Sequence, residues 1–148
     1  MRKAVVWLSL FLVSCQSLLR EPEFVDAQRL VEQTVSKHEG VVRLTIHAVP
    51  TGETRSRIIA CNIRETLGKA SDPEDLEAMR TKKGVVLREG DNLDVTAPIV
   101  DKAGNAVAAT GITLACPTNA KEEALVEKAK AIAQELSKGI QEAKKPLW

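Results

Sequence analysis

Aromatic residues are nearly missing from this 148-residue chain, which has no tyrosine and only two phenylalanines and two tryptophans. Trp7 and Phe11 fall in the first fifteen residues, which leaves Phe24 and Trp148 for the remainder. A base-stacking platform or an aromatic cage needs several rings on one surface, so both are excluded. An excess of one charge is lacking too. Lys and Arg number 21 against 20 Asp and Glu, with no basic run, so neither a nucleic-acid footprint nor a polybasic membrane patch is expected. The three cysteines and two histidines form no cluster of zinc spacing, and Asp91, Asn92 and Asp94 lack the rest of a calcium loop. No metal and no cofactor is expected; a haem would rest on His47 alone. The chain also has no nucleophile elbow, Walker loop or HExxH, and Cys61 and Cys116 stand in apolar strands that make a thiol inert, so no enzyme is expected.

A long hydrophobic run is also absent, but a short one opens the chain. In MRKAVVWLSLFLVSC, Arg2 and Lys3 precede an apolar stretch from Ala4 to Val13 broken only by Ser9. That is the layout of an export signal, and it is too short to span about 30 Å of hydrocarbon, which takes about 20 helical residues. Leu12, Val13, Ser14 and Cys15 resemble the lipobox of bacterial lipoproteins. The resemblance implies that Cys15 becomes the mature N-terminus and is acylated, with residues 16–20 as a tether. Gln16 after the cysteine resembles the outer-membrane sorting pattern of diderm bacteria. An ordinary signal peptide with a coincidental cysteine is the competing reading.

The mature chain reads as one α+β domain over residues 21–148. Phe24, Ala27, Leu30, Val31 and Val35 have helical spacing after Pro22 and before Gly40. The period then becomes two. Val42, Leu44, Ile46 and Ala48 alternate with Arg43, Thr45 and His47, which marks a strand with one apolar face, and Arg57 to Ile63 form its partner beyond a Pro50–Glu53 turn. Asp72, Pro73, Glu74 and Asp75 start a short helix stopped by Gly84. Three strands follow, Val85 to Arg88, Leu93 to Val100 and Ala106 to Cys116, joined by turns rich in Gly, Asn and Asp. Asn119 and Glu122 have capping-box spacing ahead of a long helix whose stripe is Leu125, Ala129, Ile132, Leu136 and Ile140.

This order, with Asn62 ending strand two, Leu67-Gly68-Lys69, Asp72-Pro73, Gly90-Asp91, Pro98 and Asp101 to Gly104, resembles the extracytoplasmic PAS-like sensor domains known as single Cache domains. The resemblance covers about residues 21–116. It implies a five-stranded antiparallel sheet with a long N-terminal helix, a short helix between strands two and three, and a long C-terminal helix. It also implies a pocket for small metabolites, often carboxylates, between the sheet and the segment joining strands two and three. No kinase, cyclase or methyl-accepting module accompanies the domain, so a signal would pass through a separate protein partner; a homodimer stays open.

Strict alternation places Arg43, Thr45, His47, Arg57, Thr96 and Thr113 on the sheet face opposite the apolar one, with Asp94 as its only strand acid. Cations and hydroxyls over small side chains suit a small anionic ligand. A solvated sheet face explains the same alternation. Two function classes therefore remain: a lipid-anchored, exported small-ligand sensor, and a structural or interaction lipoprotein of the same fold without a ligand. In the PAS-like topology strand one separates Cys61 from Cys116, which implies two buried free thiols. Cys15→Ala is expected to release the protein from the membrane fraction or leave the signal uncut. Unchanged processing and anchoring, followed by fractionation and mass, would remove the lipobox reading.

Overall fold

The computed structural model describes residues 20–148. The expected signal segment, Cys15 and residues 16–19 of the tether lie outside the described residues. Helix α1 (Val25–Lys37) leads into β1 (Val41–Ala48) and β2 (Arg57–Cys61), and a single 3₁₀ turn at Arg64–Thr66 precedes α2 (Pro73–Thr81). Strands β3 (Val85–Glu89), β4 (Asn92–Val100) and β5 (Ala106–Ala115) follow, and α3 (Glu122–Glu142) closes the chain. The strands form one antiparallel sheet in the order β2-β1-β5-β4-β3. This is the α+β, PAS-like arrangement expected from the sequence.

Helices α1 and α3 cover one face, where Val31, Leu44, Ile46, Ile112, Ile132 and Leu136 form a fully buried core. The other face is covered only in part, by α2 over β4 and β5. Two bulges, one at Val42 in β1 and one at Ile59 in β2, interrupt the pairing of β1 with its neighbours. Its pairing with β5 slips between Val41 and Arg43, so Val42, expected in the core, is 44% exposed. Its pairing with β2 slips between Ile46 and His47, where Ile46 faces Ala60 but His47 faces Ile58. Ile59 and Ala60 then both join the core under the helices, and Ile58 takes the opposite face with Cys61 and Leu67.

The outer edge of β2 is closed by side chains and loop backbone. Gln28 of α1 offers its amide as a strand would: its Nε2 donates to the Cys61 carbonyl (2.9 Å) and its Oε1 accepts the Cys61 N–H (3.1 Å). Gly68 and Lys69 pair with both backbone groups of Ile58. Asn62 extends the ladder on the inner side, accepting from Leu44 N–H and donating to Val42 O. The capping box expected at Asn119 is not formed; Lys121 is the N-cap without a side-chain bond, which puts Glu122 at the first helical position, where it pairs with Arg88. Cys61 and Cys116 are buried free thiols. With β1 between β2 and β5, the strands stand about 9.6 Å apart, beyond the roughly 7 Å a disulfide spans. No helix among the described residues is long and apolar enough to cross a membrane.

Gln28→Ala leaves the buried Cys61 N–H and C=O without partners, which costs about 2–4 kcal/mol for the two groups. Urea denaturation checks this; a loss under about 0.5 kcal/mol, the scale of an ordinary surface substitution, would show that water replaces the amide.

Candidate functional site

The cleft follows from the registers. Reading across β1, β5 and β4, one row holds Arg43, Thr113 and Asp94, the next Thr45, Gly111 and Thr96, and the third His47, Ala109 and Pro98. All nine project to the face that α1 and α3 do not cover. Arg43 and Asp94 of the first row, the whole second row and His47 form the floor of a 330 Å³ cleft, and the N-terminus of α2 forms its wall. Gly111 makes the hollow: a Cβ there would stand 2.8 Å from Thr45 Oγ1.

Pro73 at the first helical position and the Asp72/Asp75 capping box fix where α2 begins, with Asp75 Oδ2 accepting the Asp72 N–H at 2.9 Å. The same oxygen lies 3.0 Å from His47 Nδ1. His47 Nε2 is 2.9 Å from Thr45 Oγ1, which accepts the Gly111 N–H at 3.1 Å. Ser71 Oγ lies 3.1 Å from His47 Nδ1 and 2.7 Å from Ser56 Oγ. One chain of hydrogen bonds therefore runs from β5 through β1 into α2. Burial pushes the His47 imidazole down to about 4; Asp72 opposes this and Arg43 adds to it. Burial lifts Asp75 to about 6, the Asp72 N–H bond and Arg43 oppose, and the charges of Asp72 and Glu74 add. At neutral pH the imidazole is uncharged, and its partners assign the proton to Nδ1, donated to an ionised Asp75 while Thr45 donates to Nε2.

Arg43, Thr45, His47 and Thr96 all line this cleft, and Thr113 lines an adjoining hollow with Arg43 and Asp94. Arg57 does not reach either. The bulge opposite Ile46 and His47 pairs it with Ala48 and turns it to the helix side, where it bonds Glu53 (2.7 Å) and Glu23 (2.9 Å) and lies 5.5 Å over the Phe24 ring. Sequence reasoning also missed the acids. Asp72, Glu74, Asp75 and Glu89 join Asp94 around the cleft, against Arg43 as its one arginine. Asp72, Glu74 and Asp75 read as helix N-terminal charges, which they are; the signal that they do more was the neighbouring capping pair, which buries Asp75 to 3% exposure. Among the described residues no group of His, Cys, Asp and Glu converges on a metal site.

No protein-family profile and no curated protein matches the sequence. Solved structures do match the fold. The GAF domain region of a protein from Geobacter sulfurreducens PCA aligns with a TM-score of 0.59 at 10% identity, over 81% of this chain and 93% of that one. The A. aeolicus nlh2 GAF domain in an inactive state aligns with a TM-score of 0.54 at 12% identity, over 79% and 96%. A double mutant of the inducer-binding domain of the transcription factor PobR from Acinetobacter, in complex with 3-hydroxybenzoic acid, aligns with a TM-score of 0.53 at 10% identity, over 82% and 98%. The fold is that of GAF and PAS-like sensor domains.

The two buried groups act on stability in opposite directions. A carboxyl raised from 3.8 to about 6 stabilises the fold at low pH and loses that contribution as pH rises through 6. An imidazole lowered from 6.5 to about 4 stabilises above 6.5 and loses its contribution as pH falls towards 4. Between about pH 4 and 6 they offset in the wild type. Asp75→Asn is therefore expected to lose stability as pH falls through this window, and His47→Gln as pH rises, each on the order of 1 kcal/mol per pH unit. Chemical denaturation at four pH values tests it; slopes of the same sign in both variants would refute the assignment.

Proposed function

We propose that this chain is an exported, lipid-anchored sensory domain that binds a small ligand bearing a carboxylate and passes its state to a separate protein. The observation that carries the reading is the cleft over Gly111 on the partly covered sheet face. Arg43 is exposed at its mouth and makes no ion pair or hydrogen bond among the described residues, although five carboxylates line the same cleft. A guanidinium in that position is available for bidentate contact with a carboxylate. The PAS-like fold supports a sensory role, and the Cys15 lipobox supports anchoring to a bacterial membrane, on the periplasmic side of the outer membrane in a diderm host. The anchor would hold the domain at a bilayer, where a membrane protein is the natural receiver of its signal. A binding role rather than a catalytic one is supported by Thr45: its hydroxyl faces His47 in the order of a nucleophile, base and acid, yet it is 2% exposed and its oxygen is engaged by the Gly111 N–H.

The anionic-ligand expectation rested on two arginines and one strand acid. With Arg57 on the other face, Arg43 alone carries the carboxylate contact. A thermal-shift panel of hydroxy, keto and amino acids, with 3-hydroxybenzoate included, tests the reading on wild type and Arg43→Ala. A binder at 100 times its dissociation constant adds about 2.7 kcal/mol, and Arg43→Ala is expected to lose that gain while melting near wild type when unliganded. No stabilisation by any carboxylate would favour a structural lipoprotein without a ligand.

A further inference from the structure

Only one of the two sheet edges is closed. Along β2 the Gln28 amide and the backbone of Gly68 and Lys69 take up the outward groups. At the other edge β3 pairs with β4 alone, and no described strand lies beyond it. Val86 there is 46% exposed and Leu87 44%, and Arg88 and Glu89 are exposed as well. Proline and bulges keep many edges from pairing, but β3 has no proline, and its register with β4 runs unbroken from Val85 to Glu89. What remains is its charged residues, and their order decides which strand can join.

The hairpin turn sets which backbone groups are free. Glu89 and Asn92 face each other across Gly90-Asp91, with Gly90 at φ +59, so they form the hydrogen-bonded closing pair of a two-residue turn. Counting back by two, Leu87 and Val85 also bond to β4, while Arg88, Val86 and Gly84 turn their N–H and C=O groups outwards. Val85, Leu87 and Glu89 stand on the cleft face, opposite Thr96, Asp94 and Asn92, and Val86 and Arg88 stand on the helix face. A second β3 running antiparallel bonds these groups only where outward residues meet outward residues. Centred on Val86, that pairing sets Val86 against itself, Gly84 against Arg88, Val85 against Leu87 and Lys83 against Glu89. Centring on Leu87 would instead put Glu89 against Val85, and centring on Val85 would put Lys82 against Arg88.

We propose that a second copy of this chain adds at β3, antiparallel and centred on Val86, so that two five-stranded sheets become one continuous sheet about a two-fold axis. The axis makes each contact twice, with Val85 beside the partner's Leu87 and Lys83 beside the partner's Glu89. Lys83 and Glu89 are exposed and make no ion pair among the described residues, so a single chain leaves these complementary charges unused, and the pairing satisfies both. Arg88 is held by Glu122 and the Cys116 carbonyl of its own copy, and Gly84, which faces it, brings no side chain into its way. Three facing pairs supply about six main-chain hydrogen bonds. The pairing requires no ligand, so it stands or falls apart from the sensory reading.

The experiment uses the full chain with single cysteines introduced on β3; the native Cys61 and Cys116 are buried. Facing residues of a hydrogen-bonded pair have Cα atoms about 5.5 Å apart, within the roughly 7 Å that a disulfide spans. Val86→Cys is therefore expected to form an intermolecular disulfide under mild oxidation. Leu87→Cys, exposed to the same degree, stands two residues out of register with its own copy and is expected to cross-link at least tenfold more slowly. In the Val86→Cys background, Lys83→Glu or Glu89→Lys alone is expected to slow cross-linking at least tenfold, and the two together to restore it. Thermal melts that match the parent show that each variant is folded, so that slow cross-linking reports pairing. No disulfide at Val86→Cys, equal rates at Val86→Cys and Leu87→Cys, or charge reversals without effect would each overturn the proposal.

Discussion

The chain of hydrogen bonds from the Gly111 N–H through Thr45 and His47 to Asp75 joins a central strand, its neighbour and the helix across the open face. It fixes the start of α2 on the sheet, since the Asp75 carboxylate that caps the helix is the group that meets His47, beside the Ser71–Ser56 contact that ties down the residues before it. The chain is affordable in a buried setting because every member has a partner; an unpaired imidazole or carboxylate at this depth would be heavily penalised. The wall and floor of the cleft are therefore held at a fixed separation by one relay.

Position in the sheet explains how much was legible beforehand. The period-two runs in β1, β4 and β5 and the turns between them follow local rules, so the strand order and the placement of Arg43, Thr45, His47 and Thr96 on one face could be read residue by residue. Arg57 could not, because a bulge has no local signal in an apolar strand such as RIIAC, and one extra residue reverses the facing of everything beyond it. Glu89 was out of reach for another reason: it sits at the end of a local hairpin on an edge strand, and the cleft it borders exists only once β1 pairs with β5. Asn119 shows the reverse case, where local capping chemistry is present but the helix begins two residues later, at Glu122, which pairs with Arg88.

The two edges of the sheet are finished differently. β2 is sealed by the Gln28 amide and the 68–71 segment, which supply the hydrogen bonds a sixth strand would make. This binds the first helix to the strand that carries Ile58 into the cleft. A shift of β2 cannot occur without moving α1, the element nearest the expected membrane tether.

The bulge also has a genetic consequence. Deleting a single codon at Ile59 would remove the bulge and leave Arg57 opposite Ala48, whereas inserting one between Arg57 and Ile58 would turn Arg57 away from Glu23, Glu53 and Phe24 and deliver a second guanidinium to the face of His47. Strand length, as opposed to composition, thus sets the charge of this cleft, which an in-frame insertion that alters no lining residue would change.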